Sequence, residues 1–228
     1  MRLAPTAAGV SAVLLALAVS TASAEQISRY REFELGHSLA AVTAVTLTTD
    51  RDLKTLHSRP ALLQQVEWRP RYMAGKAVSG RDSIDVVVFN FVDDRLYMMT
   101  VAYERSRTSG LTDEDMIASL TPLYGAPTPR AANARPRADD VNGVVTVAEW
   151  QEGDARIALQ HSRYSQAFSL VITSVSLNGL ARRAQATSVV MDAREAPARD
   201  AALAKQRADD ERLAEEKTRT TNKQVFRP

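Results

Sequence analysis

Gly36-His37-Ser38-Leu39-Ala40 has the spacing of a nucleophile elbow, G-x-S-x-G with alanine in the last place. A serine on such a turn attacks a carbonyl once a neighbouring base takes its proton. The surroundings argue against that chemistry here. Only eleven residues separate Gly36 from the end of the expected leader, too few to build the sheet on which an elbow sits. The preceding stretch carries Arg29, Arg31, Glu32 and Glu34, unlike a buried central strand. Ser38 is therefore expected to cap a helix.

Metal chemistry is also weakly signalled. Catalytic zinc commonly takes three protein ligands, and the chain has three histidines, His37, His57 and His161. None pairs at the three- or four-residue spacing of a helical ligand set. Asp140-Val141-Asn142-Gly143 followed by Glu149 matches part of a calcium loop, but Ala138 stands where the first carboxylate belongs. No metal and no cofactor is expected. Without cysteine there is no thiol nucleophile, disulfide or Cys-ligated metal. Asp93-Asp94 is expected to be a hairpin turn and Asp113-Glu114-Asp115 a helix start, so neither is a catalytic carboxylate pair.

Residues 57–81 are more suggestive. Arg59, Arg69, Arg71, Lys76 and Arg81 face one acid, Glu67, and Trp68 and Tyr72 lie among them. Guanidinium groups offer forked donors to carboxylate or phosphate, and aromatic faces stack on rings. The expected site is Arg59, Trp68, Arg69, Arg71, Tyr72 and Lys76, and its ligand an anion: a lipid headgroup, cell-wall carboxylates or an acidic protein surface. The plain alternative is a solubilising surface whose tryptophan belongs to the core.

These residues need elements to hold them. Residues 30–35 alternate like a strand, and Ser38 should cap a helix using Leu39, Ala41, Val42 and Val45. Residues 63–69 read as a strand with Val66 and Trp68 on one side, ended by Pro70. Residues 84–92 and 96–104 form the strongest hairpin, turning at Asp93-Asp94. The register set by that turn places Ile84, Val86 and Val88 against Tyr103, Val101 and Met99 on one face, and Phe89 and Phe91 against Met98 and Leu96 on the other. Both faces would then be apolar and covered. Thr112 and Asp115 make a capping-box start for a helix burying Met116, Ile117, Leu120 and Tyr124, with Pro122 expected to kink or shorten its last turn. Three strands follow, over residues 144–150, 155–161 and 168–175.

The fold class is thus α+β: antiparallel sheet with two short helices, arranged as two helix-plus-three-strand units, and a charged helical extension. All aromatic residues except Phe226 lie between Tyr30 and Phe168. This divides the chain into a leader (1–24), a globular domain (25–180) and a charged helical or partly disordered tail (181–228). In the tail, Leu203 and Leu213 are the large apolar residues of the stretch 197–220, too sparse for a heptad seam.

The leader has Arg2, an apolar run over residues 7–19, and small residues at Ala22 and Ala24, the pattern of a signal peptide cleaved after Ala24. The expected location is the periplasm, with no membrane span left after cleavage. Lys and Arg total 29 against 27 acids, so no broad field for nucleic acid exists.

Four strings carry a resemblance: REFELG at 31–36, RPALLQQVEWRP at 59–70, GLTDEDMI at 110–117 and LYGAP at 123–127. Together they resemble an uncharacterised family of bacterial exported proteins, which implies no activity and no site. The helix-plus-sheet order is similar at fold level to β-lactamase-inhibitor-protein-like modules. The functional expectation is a non-catalytic periplasmic binding or adaptor protein that recognises an envelope protein or an anionic envelope ligand. The alternatives are a hydrolase assembled from distant residues, marked by a base within ~3 Å of a nucleophile in a cleft, and a structural envelope component.

Overall fold

The computed structural model describes residues 27–70, 83–129 and 143–227. The leader, the segment carrying Arg71, Tyr72, Lys76 and Arg81, and the segment carrying Ala138, Asp140 and Asn142 lie outside the described residues.

A two-stranded ribbon opens the described chain, β1 (Arg29–Tyr30) and β2 (Phe33–Glu34). Residues 30–35 are therefore a tight turn of chain rather than one strand, with Arg31 in the left-handed region at φ 55°. Helix α1 (Leu39–Thr46) follows, then β3 (Leu53–His57), β4 (Leu63–Trp68), β5 (Ile84–Val92) and β6 (Arg95–Tyr103). Two helices come next, the short α2 (Arg105–Thr108) and α3 (Asp113–Tyr124). Strands β7 (Val144–Glu152), β8 (Ala155–Ser162) and β9 (Ala167–Ser174) lead into α4 (Val175–Val225). Strands β3 to β9 form one antiparallel sheet in the order β3-β4-β5-β6-β9-β8-β7. The fold is α+β as expected; among the described residues α2 is a helix beyond the two short ones and the helical tail that were expected, and four strands rather than three follow α1.

The local signals explain the elements. Ser38 Oγ accepts from the Ala41 N–H and starts α1. Val42 and Thr46 form its buried face, while Val45 is exposed. Thr112 and Asp115 close a reciprocal capping box on α3, and Met116, Leu120 and Tyr124 are buried beneath it. The helix runs through Pro122 to Tyr124.

The central hairpin turns at Asp93-Asp94, at φ 46° and 61°, the left-handed geometry of a two-residue turn that follows strand twist. Its register differs from the simple one. An irregularity beside Asn90 and Phe91 adds Tyr97 on β6, so that Phe89 opposes Met99 and Val87 opposes Val101. A second one between Ile84 and Val86 returns Ile84 to the main core. Val87, Phe89, Phe91, Met99 and Val101 therefore share one buried face, while Val86 and Val88 are half-buried. That face continues through Leu170, Ile172, Ile157, Leu159 and Trp150, beneath α3 and the β1-β2 ribbon. Phe33 packs on Trp68 and Phe89 with ring centroids 5.5 and 4.7 Å apart.

The opposite face is covered in part by the root of α4. Leu177, Ala181, Ala184 and Ser188 fall at alternating four- and three-residue steps and are buried. Leu177 and Ala181 meet Leu63, Val92 and the extra residue Tyr97. The alanines and serine let the helix lie close to the sheet. Arg59 pairs with Glu195 further along. Past Pro197 the helix continues, although proline gives up an internal hydrogen bond. Nearly every residue beyond it is exposed.

Candidate functional site

A groove of about 490 Å³ runs along the outer edge of the sheet, between the end of α1, the turn before β3, and the end of β4. Leu47, Thr48, Arg51, Asp52, Lys54, Gln65, Glu67, Trp68 and Arg69 line it. The elements that place these side chains follow from the sequence. Leu47 ends α1 in the left-handed region, and a single 3-10 turn from Asp50 to Asp52 starts β3. Lys54 opposes Gln65 across the β3-β4 ladder.

The acids of the groove are committed. Hydrogen bonds from the Thr49 backbone and hydroxyl, at 2.8 and 3.0 Å, hold the Asp52 carboxyl below its ordinary range, with Arg51 adding to the effect. Glu67 accepts from Arg69 at 2.8 Å, and Arg69 also lies 3.6 Å from Asp85. Among the described residues no ion pair engages Arg51 or Lys54. The groove therefore keeps a positive excess next to an aromatic ring. Trp68 is 9% exposed, and its Nε1–H is buried with no hydrogen-bond partner among the described residues. Trp150, by contrast, donates to the Gly125 carbonyl at 2.9 Å. An unmade bond to a buried donor costs about 1–3 kcal/mol.

Of the six expected site residues, the structure brings Trp68 and Arg69 together in this groove. Arg59 is elsewhere, fastening α4 through Glu195, and Glu195 holds its guanidinium above its ordinary pKa. Arg71, Tyr72 and Lys76 lie outside the described residues. Arg51 and Lys54 were not expected. Their signal was the spacing in Arg51-Asp52-Leu53-Lys54, which is unremarked in sequence until β3 is seen to pair with β4.

The other candidates resolve into structural roles. Ser38 caps α1, and Asp94 reaches the same helix start, accepting from the Leu39 N–H at 2.9 Å. Asp93 accepts from the Leu62 N–H at 2.9 Å, so the turn carboxylates tie two neighbouring segments to the hairpin. The histidines are dispersed. His57 bonds Ser188, His161 bonds Asp113 at 2.8 Å and stacks on Phe168, and His37 is held through its backbone. Among the described residues no three metal-ligating side chains gather. Glu149 is paired with Arg156 at 2.6 Å within β7 and β8.

A second concavity, of about 380 Å³, includes Arg95, Asp154, Ser174 and Ser176. Asp154 accepts from the Ser174 hydroxyl at 2.5 Å and from the backbone and hydroxyl of Ser176, which lowers its pKa. Its charge is spent on the first turn of α4.

Comparison with known proteins adds no template: no family model, no curated protein and no solved structure matches the chain.

Proposed function

We propose that the chain is a non-catalytic, exported binding or adaptor protein that takes an anionic ligand in the groove beside Trp68. The observation that carries the reading is the grouping of Arg51, Lys54 and Arg69 around that ring, with Asp52 and Glu67 already engaged. Arg51 and Lys54, which make no ion pair among the described residues, can meet a carboxylate or phosphate beside the nearly buried Trp68 ring. The leader pattern supports a periplasmic setting. The long α4 supports the adaptor part of the reading, since a helix seated at its root and solvated beyond it holds body and far end apart. The two halves of the sheet, meeting at β6 and β9, are in keeping with a duplicated unit to which β3 was added.

The hydrolase alternative has one point of contact, the Ser188–His57 pair at 2.7 Å. Ser188 is 3% exposed in the seat of α4, and neither residue lines the grooves described above. The Ser188 hydroxyl thus offers little surface to a substrate carbonyl among the described residues.

The test is tryptophan fluorescence during titration with tripolyphosphate and tricarballylate at low ionic strength. A saturable change is expected in the wild type, lost in Trp68→Phe and in Arg51→Gln/Lys54→Gln, and weakened by salt. An unchanged signal in the wild type, or an equal response in the double variant, would sink the proposal.

A further inference from the structure

The stretch of α4 beyond Pro197 changes character along its length. Asp209, Asp210, Glu211, Glu215 and Glu216 crowd its middle, and residues 217–228 contain no acidic side chain. Lys217, Arg219, Lys223 and Arg227 do follow. Arg219 and Lys223 are four residues apart on the helix and lie along one side, about 6 Å from one to the next, while Arg227 follows just past the end of the helix. Like charges at that spacing repel. The negative end of the helix offsets the repulsion only in the last turn. Among the described residues the ion pair on this stretch is Asp209–Arg212, upstream of the stripe.

Beside the cations runs an apolar element. Asn222 and Phe226 line a shallow concavity with Arg219 and Lys223. The Phe226 side chain is 76% exposed and Val225 69%. No other large apolar side chain follows Leu213. Two helical cations flanking an exposed ring suit a surface that is anionic outside and apolar beneath.

We infer that this end of α4 docks on a bilayer containing anionic phospholipid. Arg219 and Lys223, joined by Arg227 past the helix end, meet the phosphates, and Phe226, which shares their concavity, enters the interfacial layer. A soluble polyanion would satisfy the cations and leave the ring in water. The acidic block of a second copy would offer Leu213 alone as an apolar partner. Glu215 and Glu216 lie one turn from Arg219 and temper its charge, whereas Lys223 is seven residues, about 10 Å, beyond Glu216 and past a Debye length at physiological salt. From Pro197 to Val225 the helix reaches about 40 Å, which keeps the sheet and its groove clear of the lipid. No helix among the described residues is long and apolar enough to cross the membrane. The inference does not rest on the groove.

The experiment is co-sedimentation of the full-length protein with phosphatidylcholine vesicles, with and without about 30% phosphatidylglycerol. Binding to the anionic vesicles in excess of the neutral ones is expected at low salt and is lost at high salt. Arg219→Gln/Lys223→Gln should bind about 30-fold more weakly, and Phe226→Ser should also lose binding. Arg51→Gln/Lys54→Gln should bind like the wild type, which separates this result from that of the groove. Far-UV circular dichroism verifies that each variant keeps its helix. No excess over neutral vesicles, or equal binding by the charge variant, overturns the inference. Salt-dependent dimers in light scattering, abolished by the same variant and without vesicle binding, would give the surface to a second copy and overturn it equally.

Discussion

The Nδ1 atom of His57, on the outermost strand β3, lies 2.7 Å from the Oγ of Ser188 on α4, 131 positions further along the chain. The distance is that of a base and its nucleophile, but the setting is that of a fastening. Arg59 and Glu195 make a second link of the same kind, also between the β3-β4 edge and α4. Together they hold the helix across the outer strands of the sheet.

Ser188→Ala should therefore loosen the helix and change no chemistry. Losing one half-buried hydrogen bond costs about 1 kcal/mol, or roughly 2–4 °C in a domain this size. Thermal unfolding measures the first expectation. A fluorophosphonate probe measures the second: it should label the wild type no more than the variant, and stoichiometric labelling of Ser188 would restore the hydrolase reading.

Truncation separates the root of α4 from its outer part. A chain ending at residue 196 keeps Leu177, Ala181, Ala184, Ser188 and Glu195, and should melt within about 2 °C of the full chain. A chain ending at residue 184 loses both fastenings and should melt about 4–8 °C lower, on the same scale. Equal melting of the two truncations would mean that the fastenings contribute nothing.

In the core, Phe89→Ala should cost about 3–5 kcal/mol, because the ring is fully buried against Phe33 and opposite Met99. Leu203→Ala, on the exposed part of α4, should cost under about 0.5 kcal/mol. Val88→Ala should fall between them, since Val88 sits on the half-covered face. Denaturant midpoints would rank the three.

Asp154 gives a pH signature. Its folded pKa is lowered by the Ser174 hydroxyl first and the Ser176 donors next, so the ionised form favours the fold. That contribution is complete above the unfolded aspartate pKa of about 4 and is lost as pH falls through the lower folded value. Asp154→Asn keeps one acceptor oxygen and removes the charge, so it should lower stability at neutral pH by no more than a few tenths of a kcal/mol at this exposed position. The difference from wild type should shrink on acidification to about pH 3. A gap that stays constant between neutral and acid pH would show that the charge is not what matters.

Much of this architecture was legible where one local device decides the outcome. The Ser38 cap, the Thr112–Asp115 box and the Asp93-Asp94 turn each depend on side chains within four positions of one another. Strand β3 was not legible, because Leu53–His57 is largely exposed and only its pairing with β4 makes it a strand. The extra residue Tyr97 was hidden for a related reason. Leu96 and Tyr97 are both buried, and nothing local says which of two adjacent apolar residues takes the irregular position. The site divided along the same line. Trp68 and Arg69 were visible in a run of arginines and aromatics, whereas Arg51 and Lys54 reach the groove only through the β3-β4 register. Arg59 belonged by sequence to that run, and a glutamate 136 positions away claims it.

The seam between β6 and β9 has a consequence for how the chain reaches this state. Strands β5 and β6 are joined by a two-residue turn, and β7, β8 and β9 form a meander, so each half can zip from its own turns. Met99 and Ile172, which pair across the seam, are about 70 positions apart. Closing so long a loop before its contacts form is slow, which places the seam late in folding. Until then β6 and β9 each present an open edge, with Met99 and Val101 on one and Leu170 and Ile172 on the other. Those two edges are the positions where a half-folded chain is exposed to pairing with its neighbours instead of with itself.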